Sequence, residues 1–568
     1  MKAYPIYPQR KIFDLDGLHD FAWLGDTVTL ADFSPDNAAD YNEKAAVPGV
    51  FDMVCNHYGQ RGLAVYRFPL YDLPENRTLR LKIGGLGLAG RVFFDGNEIA
   101  RSSAPYAPVT ADFASGCGKT HEMIIAVDNR FNAQTPYDFF KAYYDFYGFG
   151  GIYRSVSLVV LPETDFLERV QVTTLDLNTG KVALKILTNS RQNELSFRIT
   201  FDHGQEESLT LPCKNGAAEW ITNVPDFRIW SPEDPALHTV TVALEGDSIV
   251  ERFGLRTIEA RDRKIFLNGK EIFFDGINRH ESDPQLGPVQ TLPGMLQDIQ
   301  LIKNTGMNFI RSVHYVPDQA WLDLCDETGM LLWIETLGWG LGASELTPQT
   351  LPYFMEQNRG MIRDAYNHPS VLILGMLNEC ASDAESSVEF YAELLKDMRR
   401  EDPTRLRSFA GNKNIRDLCM DHVDVISLNC YPGWIEDIRD CETLASEMIK
   451  PHLTKLAEFY SQESFGGKPI FISEIGACGL YGIHDDNFAQ WSEEFQADFM
   501  RTAAEVICED GRFSGYTLWQ FCDTRSYQRG HIRTKPRGFN CAGIVDEYRR
   551  KKLVYNALAN FIKSKKKD

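Results

Sequence analysis

The stretch Val371-Leu-Ile-Leu-Gly-Met-Leu-Asn-Glu379 decides the fold. An apolar run without polar alternation predicts a strand that is buried on both faces, as the strands of parallel sheets are. A second run of this kind, Pro469-Ile-Phe-Ile-Ser-Glu474, also ends in a glutamate. Amphipathic segments of helical length follow the two runs, at 384–400 and 488–508. A strand followed by a helix, repeated along the chain, predicts a parallel sheet with helical crossovers.

Eight such strands are predicted from about residue 260 onwards, with helical segments such as 296–305 between them. A (β/α)8 TIM barrel uses eight strand–helix units, whereas a doubly wound open sheet, the main competitor, would not readily do so. We therefore predict a C-terminal TIM barrel at residues 259–568. The predicted strands are 273–280, 307–312, 331–336, 371–379, 406–411, 423–431, 469–476 and 516–521.

The first part of the chain is predicted to be all-β. Short stretches such as 79–83 and 91–95 alternate apolar and polar residues between Gly, Pro and Asn turns, which indicates a β-sandwich at residues 1–165. About seven short alternating strands follow in 166–258, and this number fits an immunoglobulin-like β-sandwich. The fold class is therefore multidomain, with two β-sandwiches before the barrel.

Composition excludes several classes of partner. The chain is 43% hydrophobic and 24% charged, as soluble globular proteins are. Its formal net charge of −20 argues against a nucleic-acid partner, because phosphate binding needs a basic face. The twelve cysteines show no CxxC pair or metal-ligand spacing, which predicts reduced thiols. The first ten residues lack a signal-like apolar core, and no run of about 18 apolar residues occurs. We expect a cytoplasmic protein with no membrane partner.

The two strand-end glutamates are the candidate catalytic groups. In TIM barrels the active site lies at the carboxyl ends of the strands. Glu379 and Glu474 end the fourth and seventh predicted strands, on opposite sides of the barrel mouth, so their side chains can converge on one bond. Two converging carboxylates suit glycoside hydrolysis, in which one donates a proton to the leaving oxygen and the other attacks the anomeric carbon. Each glutamate alone could equally cap a following helix.

Other polar and aromatic residues collect at the predicted strand ends. Together they resemble a sugar pocket, in which aromatic rings cover the apolar faces of the sugar and polar groups bind its hydroxyls. A metal site built from His280, His314 and Glu335 is the alternative, but no HExxH-like spacing supports it, and we predict neither metal nor cofactor. The strand-end residues are His280, Arg311, His314, Glu335, Asn429, Tyr431, Trp434, Trp519 and Asp523.

Several motifs resemble glycoside hydrolase family 2, particularly its β-glucuronidase branch, over nearly the whole chain. The resemblance implies an N-terminal jelly-roll β-sandwich of sugar-binding type, an immunoglobulin-like sandwich and a catalytic barrel, in that order. It also implies a retaining exo-β-glycosidase that acts on a small-molecule or oligosaccharide glycoside. Relatives in this family often assemble into dimers or tetramers, so a homo-oligomer is expected. The motifs are Tyr144-Asp-Phe-Tyr-Gly-Phe-Gly-Gly-Ile-Tyr-Arg154, Phe253-Gly-Leu-Arg-Thr-Ile258, Gly276-Ile-Asn-Arg-His-Glu281, Leu377-Asn-Glu379 and Ser473-Glu-Ile-Gly476.

The resemblance also implies roles for individual residues. Glu379 would be the general acid/base and Glu474 the nucleophile. Asn378 would bind the 2-hydroxyl of the sugar, and Asp145 would bind a hydroxyl on its far side. The residues that would line the pocket of the terminal sugar are His280, Tyr431, Trp434 and Trp519.

One motif departs from the β-glucuronidase pattern. Those enzymes carry Asn-any-Lys after the eighth strand, and the lysine pairs with the uronic carboxylate. The matching residues here are Asn540-Cys541-Ala542, so the asparagine is present and the lysine is not. Losing a charge partner for a bound carboxylate would cost about 1–3 kcal/mol. The family's tyrosine after Trp434 is also replaced, by Ile435.

The identity of the sugar therefore stays open between uronides and neutral sugars. β-Glucuronidase, β-galacturonidase, β-galactosidase and arabinosidase activities are the alternatives. A nearby basic segment could supply the missing charge or could be a surface loop, and from it we predict that Arg537, with Asn540, binds substrate. A carbohydrate-binding protein without turnover is the alternative from another class. The basic residues of the segment are Arg529, Arg533, Lys535 and Arg537.

Overall fold

The structure is a computed structural model, and it describes residues 4–37, 40–54, 56–131, 144–202, 204–432, 434, 445–527 and 535–565. Strands account for most of the regular structure up to residue 272, and the alternation of strands with helices begins after it, as the hydrophobic pattern predicts. Within the described ranges, no helix is both long and apolar enough to cross a membrane.

The N-terminal strands form antiparallel sheets around a shared apolar core. The strands are β1 (Ile12–Asp14), β2 (Gly17–Gly25), β3 (Glu43–Val47), β4 (Gly49–Val50), β5 (Leu63–Tyr71), β6 (Thr78–Ile83), β7 (Leu86–Gly87), β8 (Ala89–Phe94), β9 (Asn97–Ser102), β10 (Val109–Ala114), β11 (Thr120–Asp128), β12 (Gly151–Ile152) and β13 (Val156–Val160). Their orders are β1-β13-β6-β10, β3-β2-β5-β11-β8-β9 and β4-β12-β7. Alternation within each strand decides which face is buried: Leu79, Leu81 and Ile83 of β6 enter the core.

Seven strands form the second β domain, the number that the alternating pattern predicts. They are β14 (Leu167–Asp176), β15 (Lys181–Thr188), β16 (Glu194–Phe201), β17 (Glu207–Lys214), β18 (Ala217–Asn223), β19 (His238–Leu244) and β20 (Asp247–Phe253). Their order is β14-β15-β18-β17-β16-β19-β20, and each neighbouring pair is antiparallel. The N-terminal segment adds to the edge of this sheet, because Ile6 and Val250 exchange backbone hydrogen bonds.

The C-terminal part is a closed eight-stranded barrel, which confirms the predicted fold class. Its strands are β24 (Phe274–Arg279), β25 (Phe309–Ser312), β26 (Leu331–Glu335), β27 (Val371–Asn378), β28 (Leu406–Gly411), β29 (Ile426–Asn429), β30 (Ile470–Ile475) and β31 (Phe513–Leu518). The pairing is parallel throughout, and β31 closes the barrel against β24. A small sheet of β21 (Ile258–Arg261), β22 (Lys264–Leu267) and β23 (Lys270–Ile272) packs against the barrel core.

Helices follow most of the barrel strands. They are α1 (Leu292–Thr305), α2 (Gln319–Thr328), α3 (Leu351–Ala365), α4 (Val388–Glu401), α5 (Ala445–Tyr460), α6 (Glu493–Glu509) and α7 (Leu553–Lys565). Local sequence fixes their ends: the hydroxyl of Thr291 accepts a hydrogen bond from Gly294 N at the start of α1, and Gly306 ends that helix at φ 94°. The predicted alternation fails once, because β28 and β29 are joined by two short 3-10 turns, Asn414–Arg416 and Met420–His422, in place of an α-helix.

The eighth strand begins and ends three residues earlier than the predicted 516–521. The reason is that the chain turns towards residues 542–544 after Trp519: the Trp519 N–H still bonds to Ile475 O on β30, whereas the Gln520 N–H bonds to Ala542 O and Gln520 O accepts from Ile544 N. A two-stranded hairpin follows, formed by β32 (Thr524–Arg525) and β33 (Phe539–Asn540). This hairpin returns the chain to the carboxyl end of the barrel.

Gly375, in the middle of β27, allows a close approach inside the barrel, and this gives a test of the fold. A Cβ atom added there would lie 2.0 Å from Trp333 Nε1 and 2.9 Å from Glu335 Cβ. Gly375→Ala should therefore destabilise the protein by about 1–3 kcal/mol through overpacking. Scanning calorimetry on the purified protein would measure the change in melting temperature.

Gly360 in α3 is the matched control, because a Cβ atom there meets nothing closer than 4.0 Å. Gly360→Ala should be neutral or stabilising by up to about 1 kcal/mol, since alanine favours a helix interior over glycine. Equal melting temperatures for the two alanine variants would contradict the close packing of the barrel interior.

Candidate active site

The two predicted catalytic glutamates lie at the carboxyl end of the barrel. Glu474 is buried within β30, and Glu379 follows directly after β27 and is partly exposed. Glu379 has φ 56°, a left-handed conformation that a non-glycine residue adopts at an energetic cost. Its backbone N–H bonds to Ala410 O on the next strand, which holds this turn in place. The strained turn fixes where the side chain leaves the strand.

Glu474 is surrounded by hydrogen-bond donors. Arg311 Nη1 donates to Oε1 at 2.6 Å, and the Tyr431 hydroxyl donates to Oε2 at 2.5 Å. His314 Nε2 lies 4.0 Å from Oε1. A carboxylate that accepts charge-assisted bonds on both oxygens is oriented as well as stabilised in its charged form. This is the arrangement a carboxylate nucleophile needs.

Arg311 is the centre of the polar network. Its side chain is fully buried, and Nε and Nη2 each donate to one oxygen of Glu335 at 3.0 Å. Its remaining bonds go to Glu474, to Asn378 Oδ1 at 2.9 Å and to Asn278 Oδ1 at 3.1 Å. The planar guanidinium therefore links the first, second, third, fourth and seventh strands at the pocket floor.

Glu379 has a different environment. Asn429 Nδ2 donates to Glu379 Oε1 at 2.9 Å and to Asn378 Oδ1 at 3.0 Å, and the Ser473 hydroxyl orients Asn429 through its Oδ1 at 2.7 Å. Burial raises the pKa of Glu379 to about 7, and the negative charge of Glu474 adds to that rise. One carboxyl is thus protonated near neutral pH while its neighbour is held by a cation.

Asn378 lies between the two glutamates. Its Oδ1 accepts from both Arg311 and Asn429, whereas its buried Nδ2 has no hydrogen-bond partner within the described structure. A buried amide without a partner is costly, so a ligand hydroxyl would complete its hydrogen bonding. The resemblance implies the same role, binding of the 2-hydroxyl.

Two histidines and Trp519 form an aromatic wall. The Trp519 ring stacks on His314 at 5.5 Å and meets His280 edge-on at 5.6 Å. Burial lowers the pKa of His314 to about 3, and burial likewise lowers that of His280 well below its usual value, so both rings are neutral at working pH. His314 Nδ1 bonds to Glu335 Oε1 at 2.8 Å, and that carboxylate also binds Arg311. Glu335 therefore serves as a counter-charge and an orienting group.

A group of metal-ligating side chains lies elsewhere, where α2 meets the start of β27. Asp323, Asp326 and His368 bring one ligand atom each within 4.8 Å of one another. These side chains have protein partners: Arg252 Nη2 donates to Asp323 at 2.7 Å, and His368 Nδ1 lies 2.6 Å from Asp326. Arg252 belongs to β20 of the immunoglobulin-like domain, so this network joins that domain to the barrel.

The loop at 144–150 enters the barrel mouth from the N-terminal sandwich. The buried Phe146 ring lies 5.0 Å from the His280 ring. Anchors from both domains hold the loop: Gly150 N donates to Asp52 Oδ2 at 3.0 Å, and Gly148 N donates to the Tyr527 hydroxyl at 2.5 Å. The N-terminal domain thus supplies part of the pocket.

Asp145 sits in this loop and meets the hairpin that follows the eighth strand. Asn540 Nδ2 donates to Asp145 Oδ2 at 2.6 Å, and the Ser526 hydroxyl donates to Oδ1 at 3.4 Å. The ammonium of Lys535 forms an ion pair with Asp145 Oδ1. The structure therefore brings together Asp145 and Asn540, both predicted from the sequence, and adds Lys535.

Arg537, also predicted to bind substrate, is not brought to this group. Its guanidinium pairs with Glu547 at 2.8 Å, and 54% of its side chain is exposed. The backbone at Arg537 has φ 59° in a short turn, and the residue that reaches Asp145 is Lys535, two positions earlier. Arg529, Arg533 and Ile435 lie outside the described residues.

The pocket wall contains Tyr431 and Trp434, whose rings meet edge-on at 4.9 Å. Trp519, Tyr431, Trp434 and Trp491 pack in one cluster, so the predicted aromatic lining is contiguous. Arg311 and Asn429 occupy strand ends, but the sequence motifs imply no individual role for either residue. Their position was the available signal, but only the contacts reveal that each one binds a candidate catalytic glutamate.

Comparison with known families gives two matches. The model "Glycosyl hydrolases family 2, TIM barrel domain" matches residues 258–552, and the model "Glycosyl hydrolases family 2" matches residues 166–256. Together they cover well over half of the chain. They confirm the resemblance that the motifs indicate.

Similar proteins extend this result along the whole chain. The beta-glucuronidase of Canis lupus familiaris is 26% identical over 489 residues, which are 79% of this chain and 73% of that protein. The beta-glucuronidase of Streptococcus agalactiae serotype V is 25% identical over 569 residues and covers 92% of each chain. The crystal structure of the GH2 beta-galacturonidase from Eisenbergiella tayi bound to galacturonate has a TM-score of 0.87 and 30% identity, covering 99% of this chain and 98% of that chain. The chain therefore belongs to glycosyl hydrolase family 2, and the enzyme is an exo-β-glycosidase.

Proposed function

We propose that this enzyme removes a terminal β-linked hexuronic acid with retention of configuration, with Glu474 as nucleophile and Glu379 as general acid/base. The observation that carries the mechanism is the contrast between the two carboxyls. Arg311 and Tyr431 donate hydrogen bonds to the two oxygens of Glu474, while the pKa of Glu379 is raised to about 7. Retaining glycosidases need this division of roles between two carboxyl groups.

In the first step Glu474 attacks the anomeric carbon while Glu379 protonates the leaving oxygen. The bond from the anomeric carbon to the leaving oxygen breaks, and an ester bond to Glu474 forms. Asn378 Nδ2, a buried donor with no partner among the described residues, binds the 2-hydroxyl in this proposal, and that hydrogen bond strengthens in the transition state. The neutral His280 and His314 leave the positive charge that develops on the sugar unopposed by a nearby imidazolium.

In the second step Glu379 accepts a proton from water, which attacks the anomeric carbon and releases Glu474. The change of role follows from the electrostatics. The negative charge of Glu474 helps to raise the pKa of Glu379, and that charge disappears once the ester has formed. The pKa of Glu379 then falls, which makes it a base in the step that requires one.

The sugar is proposed from the similar proteins. Those named above are a beta-galacturonidase and two beta-glucuronidases, all of which by name act on hexuronides. The beta-galacturonidase has the higher identity at almost full coverage, and this favours a β-galacturonide over a β-glucuronide. Both sugars carry a carboxylate at C6 and differ in the orientation of the hydroxyl at C4.

Removal of the nucleophile should abolish turnover. Glu474→Ala should lower kcat on a 4-nitrophenyl β-glycoside by about 10⁴-fold or more, because the covalent intermediate cannot form. The exposed Glu385, which lies outside the polar network, gives the control, and Glu385→Ala should keep the wild-type rate. Turnover by Glu474→Ala at the wild-type rate would exclude the mechanism, as would an α-configured first product observed by NMR.

The pH dependence should report the acid/base. Because Glu379 must be protonated in the first step and its pKa is about 7, kcat/KM should fall as pH rises above about 7, approaching tenfold per pH unit. Glu379→Gln should lose this alkaline limb of the pH profile. The variant should retain a larger fraction of wild-type activity on a 2,4-dinitrophenyl glycoside, whose leaving group needs no proton, than on a 4-nitrophenyl glycoside. An unchanged alkaline limb in Glu379→Gln would assign that titration to another group.

A substrate panel tests the proposed sugar. The 4-nitrophenyl β-galacturonide should give the highest kcat/KM, followed by the β-glucuronide, and both should exceed the β-galactoside, β-glucoside and arabinoside by at least about tenfold, the factor that 1.4 kcal/mol provides. A galactoside or arabinoside as the best substrate would reject the uronide proposal and leave the retaining mechanism intact.

A further inference from the structure

Lys535 is a buried cation beside Asp145 and Trp434. Only 8% of its side chain is exposed, and its ammonium pairs with Asp145, the sandwich-loop residue at the pocket. The removal of a lysine ammonium from water is costly unless a partner compensates for it. A surface-loop lysine would have kept its charge in solvent, so the position of Lys535 calls for a function.

The ammonium of Lys535 faces the ring of Trp434. It lies 5.6 Å from the centre of the Trp434 ring. It is also close to Cys478: burial raises the pKa of that thiol, and the positive charge of Lys535 opposes the rise. Cys478 packs in the same cluster as Trp519 and Ala542. Lys535 and Ala542 therefore lie beside the same cluster of side chains.

Ala542 is the position at which the β-glucuronidase pattern has its carboxylate-binding lysine. We infer that Lys535 binds the C6 carboxylate of the terminal sugar and so takes over the role of the lysine that is absent at position 542. This inference rests on the proposed function, since it presupposes a hexuronide substrate. In this chain the cation comes from the segment before Asn540, whereas the family pattern has its lysine after the asparagine.

The surrounding groups suit this role. An ammonium has three donors, and the pairing with Asp145 uses one of them, which leaves donors for a carboxylate. Asn540 Nδ2 donates one of its two hydrogens to Asp145, and the second is left for another acceptor. Asp145 keeps acceptor capacity for a sugar hydroxyl while it holds the ammonium in place. The three side chains thus provide a carboxylate site beside a hydroxyl site.

The backbone holds Lys535 in place. Lys535 O accepts from Gly538 N at 3.0 Å, and Gly538 O accepts from Ser526 N at 2.7 Å. The hairpin of β32 and β33 pairs Thr524 with Asn540 next to this turn. The cation is therefore preorganised by the polypeptide, which lowers the entropic cost of binding the substrate carboxylate.

The test compares a uronide with its neutral counterpart. In Lys535→Met, kcat/KM for 4-nitrophenyl β-galacturonide should fall by about 100-fold, while the value for 4-nitrophenyl β-galactoside, which differs only at C6, should change by less than about threefold. Lys535→Arg should recover part of the uronide activity because it restores the charge. The ratio of the two substrates separates carboxylate binding from a general loss of structure.

Lys551→Met is the matched control. Lys551 is an exposed lysine whose ammonium lies 4.4 Å from the Tyr555 ring, so this variant also removes a cation from an aromatic face. Lys551→Met should leave kcat/KM unchanged for both substrates. Calorimetric titration with free D-galacturonate and D-galactose gives a readout independent of turnover, and Lys535→Met should weaken binding of the acid selectively.

Other outcomes would overturn the assignment. An unchanged uronide-to-galactoside ratio in Lys535→Met would reject Lys535 as the carboxylate partner, and a collapse of that ratio in Arg537→Met would assign the role to Arg537. If Lys535→Met fails to fold because Asp145 loses its partner, Lys535→Gln, which keeps a hydrogen-bond donor for Asp145 without the positive charge, should show the same selective loss. A preference of the wild-type enzyme for the galactoside would instead contradict the proposal that the substrate is a uronide.

Discussion

The buried guanidinium of Arg311 is the constraint on which the active site depends. A cation with no exposed surface is tolerated only if counter-charges surround it, and Glu335 and Glu474 provide them. Glu474, the proposed nucleophile, is therefore also part of the structural network. Because the guanidinium is planar and its donors diverge at fixed angles, it fixes the orientation of Glu474 relative to Asn378.

The same network explains how two glutamates in one pocket take different roles. Glu474 lies against a cation, whereas Glu379 receives a neutral amide donor from Asn429. Burial and the charge of Glu474 then favour the protonated form of Glu379. Both residues are glutamates, so the residue type cannot explain their different proposed roles. The difference comes from the position of Arg311, which contacts Glu474 through a hydrogen bond.

The distal end of the pocket depends on contacts between domains. Asp145 comes from the N-terminal sandwich, and Asn540 and Lys535 come from the hairpin after the eighth barrel strand. Arg61 joins the two segments: it donates to Gly148 O at 2.5 Å and to the Tyr527 hydroxyl at 3.3 Å. In the proposed mechanism, recognition of the sugar thus depends on contacts between two domains, while the two candidate catalytic glutamates belong to the barrel alone.

The sequence by itself determined the barrel and its two catalytic candidates. Apolar runs without alternation specify strands buried on both faces, and a polar residue at the end of such a run must lie at the barrel mouth, as Glu379 does. The missing helix between β28 and β29 and the early end of β31 escaped prediction because they depend on packing against other strands.

Only the tertiary structure decided which basic residue meets Asp145. Lys535 and Arg537 are two residues apart in one segment, and no local pattern distinguishes them. The turn at Pro536–Gly538 directs Lys535 inward to Asp145, which is far from this segment in sequence. It directs Arg537 outward to Glu547, which lies beyond β33. A contact between distant parts of the chain leaves no periodic signal, and for that reason it had to be read from the fold.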